Sequence, residues 1–400
     1  MLKLKTMPIA KVDKLQREFL DLTVEGRNIF LTGKAGTGKS YTLRNMIQEL
    51  SLSHEIVVLG TTGVAAYNVG GQTIHSMFNL PIHGMMTKES CRRLTGKNKR
   101  VLKDADIIVV DEVSMMRPDM LDAMHFTLIK NGVKQGLLDK QLILVGDLKQ
   151  LPPAVDNQTM GMLVEFYEGV NFSDANIFPK LNFETIELEY IYRQSDPKFI
   201  EALNVVRDGG KSEYFKRFIS DTPKGLILAP HNSTVNKYNS LGLKSLSSKE
   251  LTYSATITGK AKPNDFTLEE NLTLKDGCKI MYLINTPEDK LHNGSLGVFR
   301  LVRGNPCIDV DGVLVRLTRT TLSKKEYYVN PKTAKIEMQT VGTFIQYPVK
   351  LAYALTIHKS QGLTFDELTL DLTRLCFESG QLYTGLSRVR SPEGLRIIVK

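Results

Sequence analysis

Gly33-Lys34-Ala35-Gly36-Thr37-Gly38-Lys39-Ser40 is the stretch that sets the fold of this 400-residue chain. Before it, Asn28-Ile29-Phe30-Leu31 reads as a buried strand. After it, Leu43, Met46, Ile47 and Leu50 recur at helical spacing. Glycine, four residues, then Gly-Lys-Ser between a strand and a helix is a phosphate-binding loop. Its glycines let the chain fold back. The N–H groups of the stretch Gly33, Ala35, Gly36, Thr37 and Gly38 then converge on phosphate oxygens, and the helix opening at Lys39 adds its positive dipole end. Lys39 is placed to bridge the β- and γ-phosphates, Ser40 to hold Mg²⁺, and Tyr41 to adjoin the nucleotide. These residues predict a nucleoside-triphosphate enzyme.

Outward from the loop, the apolar runs Ile29–Leu31, Ile56–Leu59, Ile107–Val110 and Leu142–Val145 do not alternate with polar residues. That is the pattern of a parallel sheet covered on both faces. A second alternation begins near Thr185, with a helix opening at Asp196-Pro197 and a strand at Gly225–Leu228. From about Leu251 to Tyr347 the runs are strand-like, with hairpin signals at Asn293-Gly294 and Asp311-Gly312. The latter separates Cys307–Val310 from Val313–Leu317 as a type I′ turn would. Leu351–Thr356, Leu368–Leu372 and Leu395–Val399 then read as strands, with a helix over about Gly380–Val389. The expected architecture is α/β: a first domain over 1–180, a second over 181–250 and 348–400, and a β-rich module over 251–347 inserted into the second.

Composition narrows the setting. Charged residues at 24% and hydrophobic ones at 42% are ordinary for a globular protein, and a net charge of +9 favours a polyanionic partner. The four cysteines, Cys91, Cys278, Cys307 and Cys376, form no Cys-x-x-Cys pair and imply neither a zinc site nor a disulfide framework. No apolar run approaches membrane-span length, and the N-terminal MLKLKTMPIAKVDK lacks the apolar core of a signal peptide. The expected location is cytoplasmic, on the nucleoid of a prokaryote or in host cytoplasm for a viral source, with no membrane partner.

Ile107–Val110 runs into Asp111-Glu112-Val113-Ser114. A carboxylate at the C-terminal end of a buried strand faces the crevice where open α/β sheets bind ligands. Asp111 is placed to hold Mg²⁺ through water and Glu112 to deprotonate the attacking water. Leu142–Val145 leads to Gly146-Asp147-Leu148-Lys149-Gln150-Leu151-Pro152-Pro153, where the Gln150 amide can meet the γ-phosphate or its water, and the prolines stiffen the exit.

Further ordered segments complete the pattern. They are Gly60-Thr61-Thr62-Gly63-Val64-Ala65-Ala66, Gly70-Gly71-Gln72-Thr73-Ile74-His75-Ser76, Tyr353-Ala354-Leu355-Thr356-Ile357-His358-Lys359-Ser360-Gln361-Gly362 and Gln381-Leu382-Tyr383-Thr384-Gly385-Leu386-Ser387-Arg388. Together with the loop they resemble the Pif-type DNA helicases of superfamily one, relatives of the RecD and Dda helicases, over nearly the whole chain. Leu148 stands where that family often has Phe.

The resemblance implies two RecA-like P-loop NTPase domains with parallel sheets, a small wedge insertion in the first (about 77–103) and an SH3-like insertion in the second. It implies ATP and Mg²⁺ as cofactors, Gln16 as the adenine-reading residue, Gly362 as a further nucleotide contact, and Arg193 and Arg388 as arginine fingers. The guanidinium groups would stabilise charge on the γ-phosphoryl oxygens. It places single-stranded DNA on Thr61, His75, Phe78 and Pro152 in one part and on Asn232, Thr356, His358, Lys359 and Ser360 in the other. Hydroxyls, amides and Lys suit phosphate oxygens, and rings suit base stacking. Lys88, Arg92, Arg93, Lys97, Lys99, Arg100 and Lys103 give the wedge a basic face for a DNA fork. The implied activity is 5′→3′ translocation with strand separation, by a monomer or a dimer on DNA, without the accessory terminal domains of larger relatives. Two rivals share the nucleotide core: an ATPase remodelling a protein, and a DNA translocase that does not separate strands.

Overall fold

The computed structural model describes residues 13–400 apart from 63–64, 67–68, 82–83, 95, 267, 285–290, 292–293 and 334. Gly63-Val64 of the second motif and Asn293 of one hairpin signal therefore lie outside the described residues. The chain divides into two units. One comprises the chain up to Asp147 with Pro153–Tyr192 and Tyr327–Glu337; the other comprises Leu148–Pro152, Arg193–Glu326 and Met338–Lys400.

The first unit holds a parallel sheet of β1 (Ile29–Gly33), β2 (Ile56–Gly60), β3 (Gln72–Thr73), β4 (Ile107–Asp111), β5 (Gln141–Val145) and β6 (Glu184–Leu188), in the order β3-β2-β4-β5-β1-β6. Helices α1 (Lys14–Val24), α2 (Lys39–Leu50), α3 (Ile74–Phe78), α4 (Lys97–Asp104), α5 (Pro118–Lys130) and α6 (Asn157–Phe166) accompany it. β1 and β4 are buried at every position, which is why their sequences are continuously apolar. Phe19 of α1 and Leu43 and Met46 of α2 pack on Ile29, Leu31, Val109, Ile143 and Leu188 in one core.

β6 corrects the expected division. The strand at Thr185 does not open a second sheet; it pairs in parallel with β1 as the sixth strand of the first. It lies at the sheet edge, and its residues alternate: Ile186 and Leu188 are buried, while Thr185 and Glu187 are exposed.

The second unit has a parallel sheet of β7 (Leu226–Ala229), β18 (Ala354–Thr356), β19 (Leu368–Asp371) and β20 (Leu395–Ile398), in the order β18-β7-β19-β20. Its helices are α7 (Pro197–Arg207), α8 (Asn232–Lys244) and α9 (Gln381–Leu386). Between β7 and β18 run antiparallel strands: β8 (Glu250–Ser254), β9 (Thr256–Gly259), β10 (Asn271–Lys275), β11 (Lys279–Tyr282), β12 (Leu296–Val302), β13 (Asn305–Val310), β14 (Val313–Arg316), β15 (Thr320–Val329), β16 (Ile336–Gln346) and β17 (Val349–Leu351). Asp311 and Gly312 both take positive φ, +50° and +83°, and Val310 faces Val313, as the type I′ reading predicts. The expected strand over Leu351–Thr356 is two strands. β17 closes on β11 in the insertion, while β18 joins the parallel sheet.

Candidate nucleotide site and nucleic-acid surface

The loop after β1 turns back through glycines with φ of +146° at Gly33, +85° at Gly36 and +87° at Gly38. A Cβ on Gly33 would stand 2.6 Å from the Leu188 carbonyl oxygen and 2.8 Å from Thr37 Oγ1, so conformation and space both demand glycine. Ala35 and Thr37 are buried, and Thr37 Oγ1 donates to the Lys34 carbonyl at 2.9 Å. Lys39 Nζ lies across the loop, donating to the carbonyls of Gly33 (2.7 Å) and Lys34 (3.1 Å). Gly38, with no side chain, caps α2. Ser40 and Tyr41 follow in its first turn, where the Tyr41 amide donates to the Gly38 carbonyl at 2.9 Å.

Gln16 is not a solvated helix residue. It is 2% exposed, and its Oε1 accepts from Asp13 N (3.2 Å) while its own N donates to Asp13 Oδ1 (2.8 Å). Its Nε2 faces Gly38, 3.4 Å from where a Cβ there would sit, and the Tyr192 ring lies 3.6 Å from the same point. Tyr192 N donates to the Gly36 carbonyl at 2.9 Å. Gln16, Tyr192 and Gly38 thus share one mouth of the loop. Tyr192 carries a single signal in the sequence, its place beside Arg193.

Asp111 ends β4. It is level with Val145 and, through β5, with Leu31, so two strand spacings, about 10 Å, separate its strand from the loop's. Burial, with the charge of Glu112 added, pushes the Asp111 carboxyl up to about 7. Glu112 is left-handed at φ +55°, a strain of order 1–3 kcal/mol that neighbours must hold in place. Two bonds do so. Glu112 N donates to Asp111 Oδ1 at 2.9 Å, and the Thr61 hydroxyl donates to the Glu112 carbonyl at 3.1 Å. A buried carboxylate beside a second, partly exposed one suits a divalent cation, and one hydroxyl plus one carboxylate is the protein share expected of Mg²⁺ that keeps waters and phosphates. Ser40 and Asp111 therefore fit that ion.

The Asp111 shift carries a test. A carboxyl with a folded value above its unfolded one (about 3.9) costs stability only once charged. That cost is absent near pH 4 and grows as pH rises towards 7. Asp111→Asn should therefore melt with the wild type near pH 4 and about 2–4 °C above it at about pH 8 without nucleotide. Equal or lower melting at about pH 8 would contradict the strained pair.

In the second unit Arg193 and Arg388 converge on one residue. Arg193 Nη1 donates to the Ser387 carbonyl (3.2 Å) and Arg388 Nη2 to the Ser387 hydroxyl (2.9 Å). Gln194 Nε2 also donates to that carbonyl, at 3.1 Å. Arg388, 2% exposed, further donates to the carbonyls of Thr384 (2.9 Å) and Leu363 (3.5 Å), the latter next to the left-handed turn at Gly362. Ser387 as the shared anchor had no signal in the sequence. Gln150 is buried, and a Cβ on left-handed Gly380 would overlap its carbonyl oxygen.

The expected DNA contacts divide. Thr61 is 8% exposed. His75 is half-buried, and burial with nearby Arg117 lowers its pKa, which favours the neutral ring. Asn232 and Lys359 are exposed, Pro152 and His358 partly so. Thr356 is 5% exposed and its Oγ1 accepts from Lys359 N at 3.3 Å. Two are corrected. Phe78 is wholly buried, because Ile74, Met77 and Phe78 form the inward face of α3, so it packs and does not stack on bases. Ser360 is wholly buried and donates to the Ile357 carbonyl at 2.7 Å, so it shapes the turn. Lys350 on β17 has no motif around it; burial, with the charge of Lys359 added, lowers it to about 8.

The wedge segment is bound to α5. Met86 N donates to Asp119 Oδ2 (2.7 Å), Leu94 N to Asn131 Oδ1 (2.8 Å), and Arg117 Nη2 to the Gly84 carbonyl (2.7 Å). Lys88, Arg92, Arg93, Lys99, Arg100 and Lys103 remain exposed on it. Among the described residues no helix is long and apolar enough to cross a membrane.

The loop, the strand-end carboxylates and the parallel order of the first sheet define a P-loop nucleoside triphosphatase of RecA-like build. The chain belongs to the PIF1-like helicase family, whose model matches residues 14–217. It is 32% identical to the ATP-dependent DNA helicase Pif1 of Bdellovibrio bacteriovorus, over 98% of this chain and 89% of that one. The crystal structure of Bacteroides sp Pif1 in complex with ADP-AlF4 is 30% identical with a TM-score of 0.86, covering 98% of this chain and 92% of that one. Bacteroides Pif1 in complex with ADP-AlF3 and single-stranded DNA is 31% identical with a TM-score of 0.68, at the same coverages.

Proposed function

We propose that this chain is an ATP-dependent DNA helicase that translocates 5′→3′ on single-stranded DNA and separates the duplex ahead. The observation that carries this reading is the bond from Thr61 to the Glu112 carbonyl. It joins a residue expected on the DNA to the residue expected to activate water, so that the ends of two neighbouring strands, β2 and β4, tie the two ligands' residues together. Lys39 and the loop amides hold the ATP phosphates, Ser40 and Asp111 hold Mg²⁺, and Gln16 with Tyr192 receives the adenine. Mg²⁺, when bound, neutralises phosphate charge and orients the γ-phosphoryl group. Gln150 positions the water, while Arg193 and Arg388 stabilise the transition state. Thr61, His75, Pro152, Asn232, Thr356, His358 and Lys359 line the strand's path. The basic wedge over 77–103 meets the fork. A base-pair step costs about 1.4 kcal/mol on average to open, so single-nucleotide advances suffice. Each unit carries one of the two RecA-like domains, with 251–347 as a β-rich, SH3-like insertion in the second domain.

Strand displacement on matched 5′- and 3′-tailed duplexes with ATP tests this. Unwinding of the 5′-tailed substrate alone is expected. Equal unwinding from a 3′ tail would overturn the polarity. DNA-stimulated ATP hydrolysis with no displacement from either tail would favour a translocase.

A further inference from the structure

Three neighbouring parallel strands of the second unit, β18, β7 and β19, run in the same direction, and the segment after each delivers one ring. These are His358, His231 and Phe377. The Phe377 centroid lies 5.0 Å from that of His231 at 36° and 6.3 Å from that of His358 at 23°. Phe377 is nevertheless 58% exposed, and Leu375 beside it 79%.

Apolar rings in an irregular loop ordinarily move to reduce their contact with water. Here the backbone holds them out. Buried Gln381 accepts from Phe377 N at 3.1 Å and donates to the Pro230 carbonyl at 3.5 Å, joining two of the ring-bearing segments. His231 Nε2 lies 3.1 Å from the Leu375 carbonyl, Arg374 Nη1 donates to Ser233 Oγ (2.7 Å), and His358 Nε2 pairs with Glu378 Oε2 (2.8 Å). Exposed Lys359 follows His358, and exposed Arg374 lies on the same loop.

We infer that Phe377, supported by His231 and His358, is a stacking platform for a base of single-stranded DNA, with Lys359 and Arg374 facing the flanking phosphates. Flat rings beside cations complement a nucleotide's two halves, and every base has a face to stack regardless of sequence. The inference rests on the helicase reading and adds to it a contact that its motifs do not name.

The test measures affinity for a thymidine oligonucleotide and for its abasic counterpart across a salt series. Stacking on one aromatic ring implies that Phe377→Ala weakens binding of the base-bearing strand about ten- to a hundred-fold. Phe377→Trp should restore it. The wild type should prefer bases to the abasic strand and Phe377→Ala should not, with the salt slope unchanged, because no phosphate contact is lost. Equal loss on both strands, or a shallower slope, would mean Phe377 merely shapes the cation site and would overturn the platform. So would wild-type affinity of Phe377→Ala. Failure of the unaltered chain to bind either strand would remove the helicase reading as well.

Discussion

Glu112→Gln should lower ATP turnover by about 10²–10⁴-fold, the range a positioned general base contributes, while leaving ATP and single-stranded DNA affinity within a few-fold. The amide keeps the shape and loses only the basic oxygen. The left-handed backbone at Glu112 is held through its own main-chain atoms, the Thr61 hydroxyl on its carbonyl and the Asp111 carboxylate on its N–H, neither of which the substitution touches. Steady-state hydrolysis with saturating DNA, beside nucleotide binding at equilibrium, checks this. Turnover within ten-fold of wild type would remove Glu112 from the base role. Binding lost together with turnover would show that the carboxylate holds the cation instead.

Arg388→Lys should cost about 10³-fold in turnover, the lower end of what an arginine finger supplies. The guanidinium meets three separate oxygens, on Thr384, Ser387 and Leu363. A lysine keeps the charge, but its single ammonium cannot span the same fork. The buried charge makes stability the necessary control. A variant that melts normally and has lost hydrolysis but not nucleotide affinity supports a transition-state role. A variant that hydrolyses normally makes Arg388 a purely structural residue of α9.

The phosphate loop is fully legible in the order of residues, since its spacing permits few alternatives and its glycines meet a geometric demand at Gly33, Gly36 and Gly38. The acidic pair is legible for a related reason: an uninterrupted apolar run ending in Asp111, a domain-sized interval after a phosphate loop, reads as a buried strand reaching the crevice, whereas alone it reads equally as a solvated strand end. Exposed contacts are harder. Phe78 just follows one motif and Ser360 sits in another, each near a more accessible residue (His75, Lys359), and nothing in their identity says which way each points. That depends on helical phase in α3 and on the turn at Ile357–Ser360. The roles of Tyr192 and Gln381 are not legible, because Tyr192 reaches the phosphate loop at Gly38 from a segment far along the chain, and Gln381 ties Phe377, which belongs to no motif, to the Pro230 carbonyl.

What the chain's order alone determined is the nucleotide chemistry and the parallel sheets around it, because strand, loop and helix are contiguous and their spacing is local. Tertiary structure decided the rest. Thr185 joins the first sheet because β1 has an open edge for it, Glu112 takes a left-handed turn because Thr61 is there to hold its carbonyl, and two arginines from distant segments share Ser387. Such pairings reflect burial and hydrogen bonding between remote parts of the chain, which no local pattern encodes.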